Sequence, residues 1–171
     1  MKKTCLLLAC TLFGFHSFSQ GYGKPVAFKI VETVDSSIKK EVLYLNALEW
    51  LSKHFSNANK VIQIADKDAG IILARGNFSY DPPSTILTGG VEHHTVSFLV
   101  KFSLKDGKYK LELNDFVEDQ LGLITIGDYE DHSLNKKNVQ KEWRAAQDET
   151  QQNIHNMYVS IKELMRQNED W

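Results

Sequence analysis

A chain of 171 residues, 42% hydrophobic and 25% charged, has the length and composition of one globular domain. Its formal net charge of −2, with no dense Lys/Arg tract, makes it a poor candidate for gripping phosphate backbones. Both cysteines, Cys5 and Cys10, fall at the start, which excludes a disulfide framework or a thiol nucleophile in the body of the chain.

Residues 1–19 read as a secretory signal peptide. Lys2 and Lys3 form a basic start, Leu6 to Phe13 an apolar run, and Ser17-x-Ser19 a small-residue cleavage site before Gln20. The apolar run is too short to span a bilayer. Leu7-Leu8-Ala9-Cys10 has the form of the tetrapeptide before a lipidated cysteine, but would leave an apolar run of only about four residues where about seven are usual. Cleavage near Ser19 is therefore the expectation, giving a cysteine-free, net acidic, exported protein that is periplasmic or secreted.

The mature chain opens with a β-branched stretch from Lys24 to Val34, in which Pro25 is tolerated at a strand start. Asp35-Ser36-Ser37 offers N-cap chemistry for a helix beginning near Ile38. Tyr44, Ala47, Leu48, Leu51 and Phe55 then form one helical stripe, flanked by Leu43 and Trp50, with Asn46, Glu49 and Lys53 opposite. Ser56-Asn57-Ala58-Asn59 ends it. Two β-runs follow, Lys60 to Ala65 and Ile71 to Tyr80, joined by Asp66-Lys67-Asp68-Ala69-Gly70. Asp81-Pro82-Pro83-Ser84 stops the second, and a loop runs to Gly89-Gly90.

The strongest local signal is a hairpin. Val96, Phe98, Val100, Phe102 and Leu104 alternate with Ser97, Leu99, Lys101 and Ser103. Past Lys105-Asp106-Gly107-Lys108, Tyr109, Leu111 and Leu113 alternate with Lys110, Glu112 and Asn114. Asp-Gly favours a type I′ turn, which pairs Leu104 with Tyr109, Phe102 with Leu111 and Val100 with Leu113. Pattern and turn thus choose one register. The opposite face of the hairpin carries one large apolar residue, Leu99, among seven, so that face is expected to be solvated, with any partner held by polar contacts.

Leu121 to Ile126 reads as a short strand and Gly127 to His132 as an acidic loop. A long helix starts near Lys137, with Val139, Trp143, Ala146, Ile154, Met157, Ile161 and Leu164 in one phase across the polar stretch Gln147–Gln152. At about 1.5 Å per residue it would be roughly 45 Å long, so it is expected either to project or to break at that stretch. The order strand, helix, four strands, helix predicts an α+β fold with helices on one face of an antiparallel sheet.

Three stretches resemble an exported bacterial family of unknown function with a TATA-binding-protein-like (TBP-like) fold: Tyr44-x-x-Ala47-Leu48-x-Trp50-Leu51, Asp66-x-Asp68-x-Gly70-x-Ile72-x-x-Arg75-Gly76, and Lys105 to Tyr109. The resemblance spans about residues 26–118, with Lys110 standing where arginine is usual. The expected organisation is therefore a TBP-like domain over 20–135 with the C-terminal helix over 136–171, which the resemblance covers less well, packed on it; the resemblance implies exported or membrane-associated proteins of Bacteroidota-like bacteria. It implies no activity, and likeness to a DNA-binding fold carries no DNA binding.

The chemistry-bearing residues are sparse. His93 and His94 are adjacent, so in a strand they face opposite ways and cannot easily share a metal; they read as loop or strand-edge histidines. Asp128, Glu130, Asp131 and His132 lack the spacing of a calcium loop and read as a solvated acidic loop. Asp66 and Asp68 read as turn residues, and Trp50 and Trp143 as core. No nucleophile elbow, zinc-protease helix or phosphate loop is present. No catalytic, cofactor-binding or metal-binding residue is assigned. The expectation is a non-catalytic binding module of the cell envelope, monomeric or weakly oligomeric, with an unknown protein or envelope partner and no nucleic acid. The alternative is a hydrolase built from scattered Asp, Glu and His.

Overall fold

The computed structural model describes residues 24–81, 93–118, 124–128 and 137–167. The signal segment, the loop after Asp81, and Glu130, Asp131 and His132 lie outside them. The elements in order are β1 (Lys24–Pro25), β2 (Phe28–Thr33), α1 (Lys40–His54), α2 (Ala58–Val61), β3 (Ile62–Asp66), β4 (Ile71–Tyr80), β5 (His94–Lys105), β6 (Lys108–Glu118), β7 (Ile124–Thr125), β8 (Gly127–Asp128) and α3 (Lys137–Leu164).

Five strands form an antiparallel sheet in the order β2-β6-β5-β4-β3, with β7 added beyond β2 on β6. β2 and β3 are therefore the two edges, and α1 crosses the sheet between them. β1 and β8 pair separately, Lys24 with Asp128 and Pro25 with Gly127. The first two residues of the expected acidic loop are thus strand.

The hairpin register is the expected one: Leu104 faces Tyr109, Phe102 faces Leu111 and Val100 faces Leu113. The turn is not type I′. That turn needs positive φ at both central residues, and only Gly107, at φ 68°, has it. Tertiary bonds hold the turn instead. Gly107 N–H donates to Ile38 O at 2.9 Å, Val34 N–H donates to Gly107 O at 2.8 Å, and Asp106 Oδ1 accepts the Lys40 N–H at 2.8 Å. Asp106 is therefore the cap of α1. In the expected cap, Asp35-Ser36-Ser37, the Asp35 carboxylate instead accepts Ser37 N–H in a local turn, and the helix starts two residues later than the sequence suggested.

Both long helices pack on one side of the sheet, over Ile72, Ala74, Phe98, Val100, Phe102, Leu104, Leu111 and Leu113. Phe98 is a hub of this core: Phe116 stacks on it at 5.3 Å, and Phe78 and Phe55 tilt against it at 5.9 and 6.2 Å. Such pairs add about 0.5–1.5 kcal/mol each beyond burial. Phe55 lies over Gly76, where a methyl group would strike its ring. Trp50 meets Phe102 edge-on at 6.0 Å and donates its Nε1–H to Ser160 Oγ at 2.9 Å.

The stripe of α1 is rotated from the expected one. Leu43, Tyr44, Ala47, Trp50 and Leu51 are buried, Leu48 is only half-buried, and Asn46 is buried rather than opposite. Its Nδ2 donates to the carbonyls of Leu164 and Gln167 at 3.0 and 3.1 Å. A buried amide here satisfies the last turn of α3, whose carbonyls have no partner within the helix.

α3 neither breaks nor projects. Its 28 residues are one helix, about 42 Å long, and β6, the 11-residue strand it packs against, is about 37 Å long. Ile161, Leu164 and Met165 are buried at its far end. The polar stretch is bridged by Thr150, fully buried with its hydroxyl donating to Ala146 O at 2.7 Å.

Past Asn114 the alternation shifts. Ser97 pairs with Val117 but Leu99 with Asn114, a one-residue bulge in β6. Asp115 sits in it at φ 54°. The bulge turns Phe116 and Glu118 inward, and both are fully buried.

Candidate functional site

One face of the sheet lies under the helices; the other has no described element over it. Its residues follow from strand alternation and line up in cross-strand rows. The first row is Arg75, Leu99, Asn114; the second is Ile64, Leu73, Lys101, Glu112, Lys29. The third is Asp66, Ile71, Ser103, Lys110, Val31, and the fourth Lys105, Lys108, Thr33. Six of the seven positions expected on this face from the hairpin stand in these rows, and the seventh, Ser97, stands with Asn77 and Val117 in the row before the first.

The expectation of a mainly polar surface is corrected by the neighbouring strands. Ile64, Ile71 and Leu73 join Leu99 in one apolar patch, and Val31 stands at the β2 edge. Ile64 is 48% and Val31 61% exposed. The signal was present in Ile71-Ile72-Leu73-Ala74, an unbroken apolar run that places apolar groups on both faces. The patch lines a shallow concavity of about 470 Å³ together with Asp66, Lys101, Asn114 and Asp115. A second, of about 280 Å³, lies at the hairpin end between Val31, Ser103, Lys105, Lys108, Tyr109 and Lys110.

Charge on this face is uneven. Glu112 is bonded by Lys110 at 2.8 Å and paired with Lys29 at 3.5 Å. The Lys110 hydrogen bond first, then the charges of Lys110, Lys29 and Lys101, hold its carboxyl below the ordinary range. Asp66 Oδ1 is engaged by Ala69 N–H at 2.8 Å, which bears out its turn role. Lys105 and Lys108 face each other across the hairpin.

Three polar clusters lie elsewhere. Tyr158 on α3 donates to Glu32 Oε1 on β2 at 2.6 Å, and Lys162 Nζ donates to Tyr158 Oη at 3.0 Å and to Glu32 Oε1 at 3.3 Å. The Tyr158 bond first, helped by Lys162 and Arg166, lowers the Glu32 carboxyl; Lys162's own bonds, to Tyr158 first and then to Glu32, raise its ammonium. This cluster ties α3 to the edge strand. Beside it, burial pushes the Tyr109 phenol well up.

The second cluster joins His54 and Ser160, Nε2 to Oγ at 3.2 Å, with His54 Nδ1 on Trp50 O at 3.0 Å. A serine–histidine contact invites a nucleophilic reading. However, Ser160 Oγ already accepts the Trp50 N–H, and its hydroxyl also reaches Met157 O at 3.0 Å. Set mid-helix, it has neighbouring amides engaged in the helix, leaving no donors for an oxyanion. The contact joins α1 to α3.

The third is His94 with Glu118, Nδ1 to Oε1 at 2.9 Å, both buried, with Tyr80 edge-on to the imidazole at 5.6 Å. His94 thus departs from the expected loop or edge histidine, since β5 is a central strand. Its partner was invisible in sequence because the bulge reverses the alternation before Glu118. His93 is exposed and meets Asp81 at 2.7 Å, so the two histidines do diverge. Asp128 lies in β8, and Trp50 and Trp143 are buried. Among the described residues, no three metal-ligating side chains converge and no helix is long and apolar enough to cross a membrane.

An antiparallel sheet with two long helices on one face and an open second face is the arrangement of TBP-like proteins. Residues 31–119 match the family model of DUF4468, a domain of unknown function with TBP-like fold, and the chain belongs to that family. It is similar to the crystal structure of a DUF4468 family protein from Bacteroides ovatus, with TM-score 0.62 and 14% identity over 86% of this chain and 90% of that one. It is also similar to a TBP-like protein from Parabacteroides distasonis, with TM-score 0.55 and 12% identity over 81% and 93%. At such identities the likeness concerns the fold alone. No curated protein matches the chain.

Proposed function

We propose that the protein is an exported, non-catalytic binding module of the cell envelope, and that the open face of its sheet is the binding surface. Export is supported by Lys2 and Lys3, the apolar run Leu6–Phe13 and Ser17-x-Ser19. The observation that carries the binding role is the apolar patch of Ile64, Ile71, Leu73 and Leu99, left on a concave surface that Asp66, Lys101 and Asp115 also line. Exposed apolar patches with polar rims mark interaction sites. The hydrolase alternative is supported only by the Ser160–His54 contact, which lacks oxyanion donors.

Nucleic acid is not part of this reading. No aromatic residue stands in the rows of the open face to stack a base. Carboxylates at Glu112, Asp66 and Asp115 also interrupt its positive field.

Affinity capture from envelope extract tests the proposal. Wild type and Glu49→Ala should retain a common partner that Leu99→Glu loses. Capture indifferent to Leu99→Glu, or a hydrolase activity abolished by Ser160→Ala, would overturn it.

A further inference from the structure

We infer that the partner of the open face is an acidic amphipathic protein segment, its apolar side chains over Leu73 and Leu99 and its carboxylates against Lys105 and Lys108; this rests on the open face being the binding surface. Along β5 the positions on the open face change from half-buried Leu99 through Lys101 and Ser103 to exposed Lys105, an apolar-to-cationic track of about 20 Å. At the cationic end the hairpin sets Lys105 directly across from Lys108, an arrangement of like charges that costs stability. The carboxylates of the same hairpin, Asp106 and Glu112, are engaged elsewhere. Asp106 turns to Lys39 and the Lys40 amide, and Glu112 to Lys110 and Lys29. Among the described residues neither Lys105 nor Lys108 has an ion-pair partner. A partner with carboxylates there removes the repulsion instead of paying for new desolvation of paired ions.

The same geometry disfavours the other occupants. A second copy stacked face to face would set its lysines either against these lysines or over the apolar patch, leaving their charge without a carboxylate in both cases. A flat bilayer would meet the exposed Ile64 and Val31 at the two edge strands but not the half-buried Leu73 and Leu99 between them. An acyl chain would stay wet on one side, because the concavity is shallow and pockets for such ligands enclose most of their surface. An amphipathic helix laid in an apolar groove needs no enclosure, and its flanking charges select the pairing.

Fluorescence anisotropy on the full mature protein with two labelled synthetic helices tests this. Both carry the same leucine stripe, one flanked by glutamates and the other by lysines. At low salt the glutamate helix should bind more than about tenfold tighter. The preference should vanish in Lys105→Glu/Lys108→Glu and shrink in Lys105→Gln/Lys108→Gln. Leu99→Glu should weaken it about tenfold or more. Equal binding of both helices, lost in Leu99→Glu, would overturn the acidic partner while leaving the open face as the binding surface. Binding indifferent to Leu99→Glu would overturn both. Displacement of the glutamate helix by phosphatidylglycerol vesicles or duplex DNA at lower concentration than by unlabelled helix would assign the face to a membrane or nucleic acid instead.

Discussion

The Asp106 carboxylate accepts the backbone N–H of Lys40 at 2.8 Å across 66 positions of sequence, so the hairpin turn caps the helix that crosses the sheet. That bond, the main cause, and the charge of Lys39 hold the Asp106 carboxyl below its ordinary value. Its folded value lies below the unfolded one, so the contribution is complete above the unfolded carboxylate range and is lost as pH falls through the folded value. Asp106→Asn should lower the urea midpoint at neutral pH without changing the slope and remove part of the acid sensitivity. An unchanged midpoint would show the cap to be idle.

The last turn of α3 depends likewise on a residue far away in sequence. Asn46→Ala leaves two carbonyls with one donor fewer each and should cost about 2 kcal/mol in chemical denaturation, whereas Glu49→Ala should cost less than about 0.5. Leu51→Ala, at a fully buried site, should cost about 2–5 kcal/mol. If Asn46→Ala and Glu49→Ala behaved alike, the amide would not be holding the helix end.

Glu32, Tyr158 and Lys162 set a pH window. The lowered Glu32 carboxyl contributes stability above the unfolded carboxylate range, lost as pH falls through its folded value. The raised Lys162 ammonium contributes below the unfolded lysine value, lost as pH rises through its folded value. Tyr158→Phe should cost about 1 kcal/mol, discounted for solvent access, and flatten both limbs of the stability–pH curve. A uniform drop at every pH would mean that lost packing, not the charged bonds, explains the cost.

What was legible in the sequence was the part governed by local alternation. The Asp-Gly turn and the two flanking β-runs set the hairpin register, and β4 follows its apolar run from Ile71 to Tyr80. The caps were not legible, because Asp106 and Asn46 act on helices 66 and 118 positions away. Asn46 looked solvent-facing because a polar residue on a wheel is placed outside by default. Glu118 and Phe116 were hidden by the bulge, which slips the two-residue period by one at Asp115. The hairpin alone makes the open face look polar; its apolar residues come from β3 and β4, which supply Ile64, Ile71 and Leu73.

The bulge itself is testable. Asp115 holds φ 54°, where glycine fits freely and a β-branched residue is strained. Asp115→Gly should keep or slightly raise the thermal midpoint, whereas Asp115→Val should destabilise by about 1–2 kcal/mol. Two variants of equal stability would mean that the bulge relaxes away.

Photo-crosslinking in the native cell, with a photoreactive side chain at Leu99 or at Lys53 on the far side of α1, tests the binding role of the open face most directly. The expected result is a discrete adduct with another protein from position 99 and none from position 53. Adducts from 53 alone, equal adducts from both, or only a self-adduct from 99 would contradict it.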